Sequence, residues 1–284
     1  MIRIVEVGPR DGLQNEKRIW SIDERIELIN LLSDCGFDEI EVGSFVSPKW
    51  VPQMADTDKV FKQVNKNPST RYSVLVPNDK GMESAMSEDV KDISIFTAAS
   101  EAFTQKNINC TIDESFERFA PIVRQAHDNR MRVRGYVSCV IACPYSGDID
   151  PKMVAEVSAR LYDLGCAEIS LGDTIGKGTP DSIQRMITAV SNRVPTSMLA
   201  MHCHDTYGTA LANIQAALLC GIKIIDSAIT GLGGCPYGGA NAKGNVATEK
   251  VLDLLNDLGY THGLSKEAVN KAAGFVRQKS FLPN

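Results

Sequence analysis

Short apolar runs rich in β-branched residues recur along the chain, at residues 2–7, 39–42, 72–76, 93–97, 133–137, 168–171, 198–201 and 223–229. Runs of this length between polar stretches read as strands of a parallel sheet, buried on both faces. Between them lie segments with apolar positions at helical spacing, over 23–35, 113–129, 151–164, 180–193, 206–220 and 246–258. Asp23, Asp113, Asp150 and Thr179 mark helix starts, and Pro151 and Pro180 stand where a first-turn proline is tolerated. Strand and helix alternate eight times without a linker-like break. That predicts an α/β fold, a single (β/α)8 TIM barrel over residues 1–284. A doubly wound open sheet is the competing arrangement, but it calls for a phosphate loop and no GxGxxG follows the first strand. An additional C-terminal helix, over 265–279, is left to cap the barrel or to meet another subunit.

Composition narrows the partners. Of 284 residues, 43% are hydrophobic and 23% charged, and 30 basic against 35 acidic side chains leave a net charge of −5. With scattered Lys and Arg and no basic stripe, nucleic acid is excluded as a main partner. No apolar run reaches the roughly 18 residues that span a bilayer, so no membrane partner is expected. The chain opens on a strand-like segment instead of a basic and apolar leader, which makes a cytoplasmic location the expectation. Eight cysteines with no CxxC pair predict reduced thiols. Cys139 and Cys143 stand four apart, but no second pair follows to complete a structural zinc site.

In such a barrel the residues just after each strand line one mouth, where active sites are built. Unusual polar residues gather at these points. After the first strand, GPRDGLQNE presents Arg10 and Asp11 side by side. After the seventh, MHCHD carries His202 and His204, two of four histidines, at a spacing that sends both imidazoles to one side of a strand. That is the pattern of a metal site. After the eighth, residues 231–245 hold six glycines, Cys235 and, at their end, Asn245. Such a segment suits a lid that closes over a ligand. Glu41 and Asp173 add carboxylates at two more strand ends, as proton-transfer groups, metal-positioning groups or plain turn and capping acids. Arg134 points to an internal ion pair or to the site. Asp11, two neutral imidazoles and an Asn carbonyl make a hard ligand set that suits Mg2+ or Mn2+, and the His pair leaves zinc, cobalt or iron open.

The chain resembles the 3-hydroxy-3-methylglutaryl-CoA lyases, members of a metallolyase superfamily that also holds homocitrate and isopropylmalate synthases. The matching stretches are VEVGPRDGLQNEK (5–17), SFVSPKWVPQM (44–54), AASEAFTQKNIN (98–109), RGYVSC (134–139), EISLGDTIG (168–176), HCHDTYG (202–208) and GLGGCPY (231–237). The resemblance implies a divalent-metal site of Asp11, His202, His204 and Asn245. It further implies that Arg10 binds the substrate carbonyl and supports an enolate, that Cys235 is the active-site cysteine of the lid, and that Glu41 and Asp173 act at the site. The reaction implied is retro-Claisen cleavage of 3-hydroxy-3-methylglutaryl-CoA to acetyl-CoA and acetoacetate, with Cys235 protonating the departing carbanion and Asp173 or His204 as base. A homodimer and a small-molecule acyl-CoA partner are implied as well. The pathway served, leucine degradation or ketone-body metabolism, depends on the host.

One departure from the family pattern stands out: Cys235 and Asn245 are ten positions apart, one more than the family spacing. Gly238 and Gly239 permit the bulge this requires. The extra residue motivates an alternative, a lyase for a related acyl-CoA such as citramalyl-CoA. A condensing synthase and a catalytically silent barrel are the remaining readings. The first is disfavoured because synthases carry extra C-terminal domains, the second because the Arg10, Asp11, His202, His204, Cys235 and Asn245 set is intact.

Overall fold

A computed structural model describes residues 1–233 and 244–280. Eight parallel strands close into a barrel: β1 (Arg3–Glu6), β2 (Glu39–Ser44), β3 (Arg71–Leu75), β4 (Asp92–Ala98), β5 (Arg132–Ser138), β6 (Glu168–Asp173), β7 (Leu199–Cys203) and β8 (Ile224–Ser227). Each pairs with its neighbours in chain order, and β8 closes on β1 with Ile4 opposite Ile225. All eight apolar runs are barrel strands. The open doubly wound sheet is thereby excluded.

Alternation along the strands divides the side chains into two cores. Ile40, Val42, Ile93, Ile95, Val133, Ile169 and Leu171 are buried in one apolar cluster with residues of the surrounding helices. The alternate positions turn toward the barrel axis and are largely charged. Arg134 on β5 donates to Asp226 on β8, with β6 and β7 between them around the barrel, a contact that can only pass through the interior. Arg3 on β1 likewise reaches Glu168 on β6 at 3.0 Å, and Arg132 reaches Glu39 on β2 at 3.2 Å. Glu168 receives Arg3, Arg132 and Arg134 together. A barrel centre is usually filled by branched aliphatic residues. Here interlocked ions fill it, each desolvated charge offset by partners at hydrogen-bond distance.

The helices are α1 (Ile22–Ser33), α2 (Thr57–Gln63), α3 (Asp79–Ser87), α4 (Glu101–Ile108), α5 (Ile112–Asp128), α6 (Pro151–Leu164), α7 (Pro180–Ser191), α8 (Ala210–Leu219), α9 (Thr248–Asp257) and α10 (Lys266–Ser280). Two starts differ from the sequence reading. Ser21 and Thr111, not Asp23 and Asp113, are the N-caps, each in a reciprocal capping box with Glu24 or Glu114. Asp150 and Thr179 cap α6 and α7 as expected. The helix expected from residue 206 starts at Ala210, because Gly208 takes a positive φ of 77° in a turn closed on Asp205. The C-terminal α10 packs along α1, burying Val269, Ala272, Ala273 and Val276, with Trp20 and Phe275 edge to face at 6.1 Å.

Candidate active site

Beyond β1 the chain makes a wide π-type turn over Gly8–Gly12, in which the Val7 carbonyl accepts from the N–H groups of Asp11 (2.7 Å) and Gly12 (3.2 Å). Such turns recur at functional sites because they re-aim side chains. This one sets Arg10 and Asp11 over the barrel mouth. The Arg10 Nε donates to Glu41 Oε2 at 2.5 Å and its Nη1 to Asp11 Oδ1 at 2.7 Å. Glu41 also accepts from the hydroxyls of Ser94 and, at 3.2 Å, Tyr136. The Tyr136 ring lies 5.2 Å from the Arg10 guanidinium carbon and 4.9 Å from that of Arg134. Burial disfavours the Arg10 cation, yet Glu41 and Asp11 overcome that cost and push its pKa up. Glu41 is thus placed as the anchor of Arg10.

His202 and His204 flank the outward Cys203 at the end of β7, so their rings lie together, centroids 5.2 Å apart. Their Nε2 atoms stand 4.0 and 3.9 Å from Asp11 Oδ2. One ligand atom from each of Asp11, His202 and His204 falls within 4.8 Å of the others. Asn245 joins this group from the far end of the chain, its Nδ2 donating to Asp11 Oδ2 at 2.8 Å and to Leu232 O at 3.1 Å. Its Oδ1 is the atom left to act as an acceptor.

Protonation states suit a cation. Burial would raise the Asp11 carboxyl, but Arg10, the two imidazoles and the Asn245 amide hold it down at about 2. Burial and the neighbouring His202 lower His204 to about 4, which keeps its imidazole neutral at pH 7. His202 turns its Nδ1 to Asp226 Oδ2 at 3.3 Å. A carboxylate behind an imidazole orients the other nitrogen toward a metal. Asp226 is itself buried, and Arg134 with His202 holds its carboxyl well below the usual range. The buried Nδ1 of His204 has no hydrogen-bond partner among the described residues. Two imidazoles, the anionic Asp11 carboxylate and an amide oxygen form a donor set that fits a divalent cation.

A cavity of about 1190 Å3 opens over this cluster, floored by Arg10, Asp11, His202 and His204 and running outward past Trp50 to Lys106 and Arg118. Asp173 does not border it. Gly172 and Thr174 do, while Asp173 points to the outer side of β6, where its Oδ2 accepts from the Gly178 N–H at 2.8 Å. Burial raises this carboxyl to about 6. A Cβ at residue 178 would lie 2.6 Å from Asp173 Oδ2, so glycine is required there. Of the expected lid, Gly231–Gly233 and Gly244–Asn245 adjoin the cluster, and the Gly233 N–H donates to Glu16 Oε1 at 3.3 Å. Cys235 lies outside the described residues.

Residues 1–276 match the HMGL-like family model. The chain belongs to the HMGL-like family. A relative within reach is the mitochondrial hydroxymethylglutaryl-CoA lyase of Macaca fascicularis, 53% identical over 98% of this chain and 85% of its own length. The crystal structure of hydroxymethylglutaryl-CoA lyase from Pseudomonas aeruginosa superimposes with a TM-score of 0.97 at 52% identity, covering 100% of this chain and 94% of that one. An HMG-CoA lyase from Acinetobacter baumannii, solved in complex with coenzyme A and 3-methylmalate, aligns with a TM-score of 0.93 at 32% identity over 99% and 91%. The HMGL-like barrel therefore extends through the whole described chain, with α10 included.

Sequence reasoning missed three members of this site. Asp226 is a single charge inside the apolar run IIDSAI, a signal visible in the sequence. Tyr136 shares a face with Arg134, two residues away on β5. Ser94 left no such trace, since its contact with Glu41 depends on how β2 and β4 sit around β3.

Proposed function

We propose that this protein is a divalent-metal-dependent lyase that cleaves 3-hydroxy-3-methylglutaryl-CoA to acetyl-CoA and acetoacetate. The observation that carries the reading is the convergence of Arg10, Asp11, His202 and His204 on the floor of one cavity. Asp11, His202, His204 and Asn245 would hold the cation, Mg2+ or Mn2+. Bound there, it supplies Lewis acidity toward the substrate oxygens. Arg10, pinned by Glu41 and Asp11, presents its guanidinium to the thioester oxygen, where negative charge grows as the C2–C3 bond breaks. Interactions that strengthen with that charge raise the rate of the step itself.

Cleavage requires loss of the tertiary hydroxyl proton, rupture of C2–C3 to leave the ketone of acetoacetate, and protonation of the acetyl-CoA enolate. His204 borders the cavity and Asp173 stands behind Gly172. These are the two candidate bases; because Asp173 lies outside the cavity, loss of the acidic limb of the pH–rate profile in a folded Asp173→Asn enzyme, and not a fall in kcat alone, assigns the role to Asp173. Cys235 is proposed as the acid that protonates the enolate. The chain would act as one catalytic domain over 1–284, with residues 231–245 closing over the acyl-CoA. A cytoplasmic homodimer is its proposed assembly and place.

Purified protein with Mn2+ should release acetoacetate and acetyl-CoA from 3-hydroxy-3-methylglutaryl-CoA faster than it cleaves citramalyl-CoA, and EDTA should stop the reaction. Activity unaffected by EDTA would overturn the metal reading, and preference for citramalyl-CoA the substrate. A Cys235→Ala enzyme with full activity would remove Cys235 from the mechanism.

A further inference from the structure

Glu6 closes β1 and, by alternation with Val5, faces away from the barrel axis. It is wholly buried and lies outside the substrate cavity. Among the described residues no Lys or Arg pairs with it. Its Oε1 accepts from the backbone N–H groups of Gly8 (2.8 Å) and Ile229 (2.9 Å), and its Oε2 meets the Thr248 hydroxyl at 2.8 Å. Thr248 in turn contacts the Ser227 hydroxyl at 2.8 Å.

These partners are the roots of the metal cluster. Gly8 opens the turn that carries Arg10 and Asp11. Ile229 begins the short helical turn leading into residues 231–245. Thr248 is the first residue of α9, three beyond Asn245. The last two roots are also tied to each other, the Ala228 N–H donating to Val246 O at 3.1 Å and the Thr248 N–H to Ala228 O at 3.0 Å. Glu6 joins both of them to the start of the β1 turn through one side chain. Space is tight around it, since a Cβ at residue 8 would stand 2.5 Å from Oε1.

We propose that Glu6 is a positioning residue whose carboxyl fixes the register between Asp11 and Asn245, and thereby sets the affinity of a cation site it does not touch. The inference rests on the metal reading above. Hydrogen-bond geometry does the positioning, and negative charge is not needed. Burial raises the Glu6 carboxyl to about 8, so at neutral pH it is protonated. Oε1 then still accepts both N–H groups, and the acid O–H can point to Thr248, whose own hydrogen turns to Ser227. A glutamine amide keeps the same acceptor oxygen and sets an N–H donor where the O–H stood. Alanine leaves two buried N–H groups without their acceptor, which frees both loops to move.

Mn2+ titration of the purified protein, followed by the electron paramagnetic resonance of the free ion, tests this with thermal melts in parallel. Wild type should bind Mn2+, Glu6→Gln should bind it within about twofold of wild type, and folded Glu6→Ala should bind it at least roughly tenfold more weakly. Thr248→Val, which removes one bond from the clamp, should bind severalfold more weakly. A folded Glu6→Ala with wild-type affinity would overturn the proposal, as would a Glu6→Gln as weak as Glu6→Ala. If Glu6→Ala does not fold, a Thr248→Val protein with unchanged affinity overturns it instead. A wild-type protein that binds no Mn2+ fails at the metal reading, a different result from any of these.

Discussion

Asn245 donates from Nδ2 to Asp11 Oδ2 at 2.8 Å, bringing together side chains 234 positions apart in the chain. The same Asp11 oxygen faces both imidazoles. Barrel closure between β8 and β1 makes this meeting possible. Asn245→Ala is expected to weaken Mn2+ binding roughly tenfold to a hundredfold, as loss of a ligand or its support does elsewhere. Isothermal titration of the folded variant checks it, and an unchanged Kd would show that Asn245 only braces the loop.

Metal binding should also register as stability. A ligand that binds only the folded state at about 100 times its Kd adds about 2.7 kcal/mol. Thermal denaturation with and without Mn2+ should show that gain in wild type and none in His202→Ala. Equal shifts in both proteins would place the ion somewhere else.

Arg10 is held by two carboxylates at once, through Nε and Nη1. Lysine has one point charge and cannot span both. Arg10→Lys should therefore lose about 10^2 to 10^3 in kcat with a much smaller change in KM, the mark of a group that acts on developing charge. A rise in KM at constant kcat would instead make Arg10 a ground-state binding group.

Removing a charge from the barrel axis should be costly. Arg134 neutralises both Glu168 and Asp226 and is 1% exposed. Arg134→Met leaves two buried carboxylates short of a partner, a loss of about 3–5 kcal/mol. Urea denaturation would measure it, and a loss under about 1 kcal/mol would mean that water enters the barrel to replace the guanidinium.

The pH dependence of stability should carry a signature of Glu6, whose carboxyl moves from 4.5 to about 8 on folding. Between those values the folded state keeps a proton that the unfolded chain has lost. The stability due to this group is therefore complete below pH 4.5 and falls as pH rises toward 8, by up to about 1.4 kcal/mol per unit. Glutamine does not titrate. Without metal, the difference in unfolding free energy between Glu6→Gln and wild type should shift in favour of the variant from pH 5 to pH 8, and a constant difference would contradict the raised pKa.

The strands were legible because their outward residues are β-branched and must be buried against helices. The motif residues at the mouth were legible because each follows a strand end, the one position a barrel uses for chemistry. Helices α2, α3 and α4 were not anticipated. At seven to nine residues they are too short for a clear apolar periodicity. Asp173 shows a different limit. It stands at the expected strand end, but alternation sends it outward while Gly172 and Thr174 meet the cavity. A strand end locates a residue only to within one step, and one step reverses its face. The charged axis was hidden for a related reason: opposite charges lie on different strands far apart in the chain, and only closure of the barrel brings Arg3, Arg132 and Arg134 to one glutamate.

That shared glutamate limits how the protein can drift. Exchanging Glu168 leaves three arginines to be reconciled at once, and exchanging any arginine strands an acid on another strand, so the axis changes only by coordinated steps. The outer rim is under no such obligation. Trp50 and Lys106 border the cavity and are exposed, which makes that rim the place where a new acyl-CoA preference could arise by single substitutions while the centre stays the same.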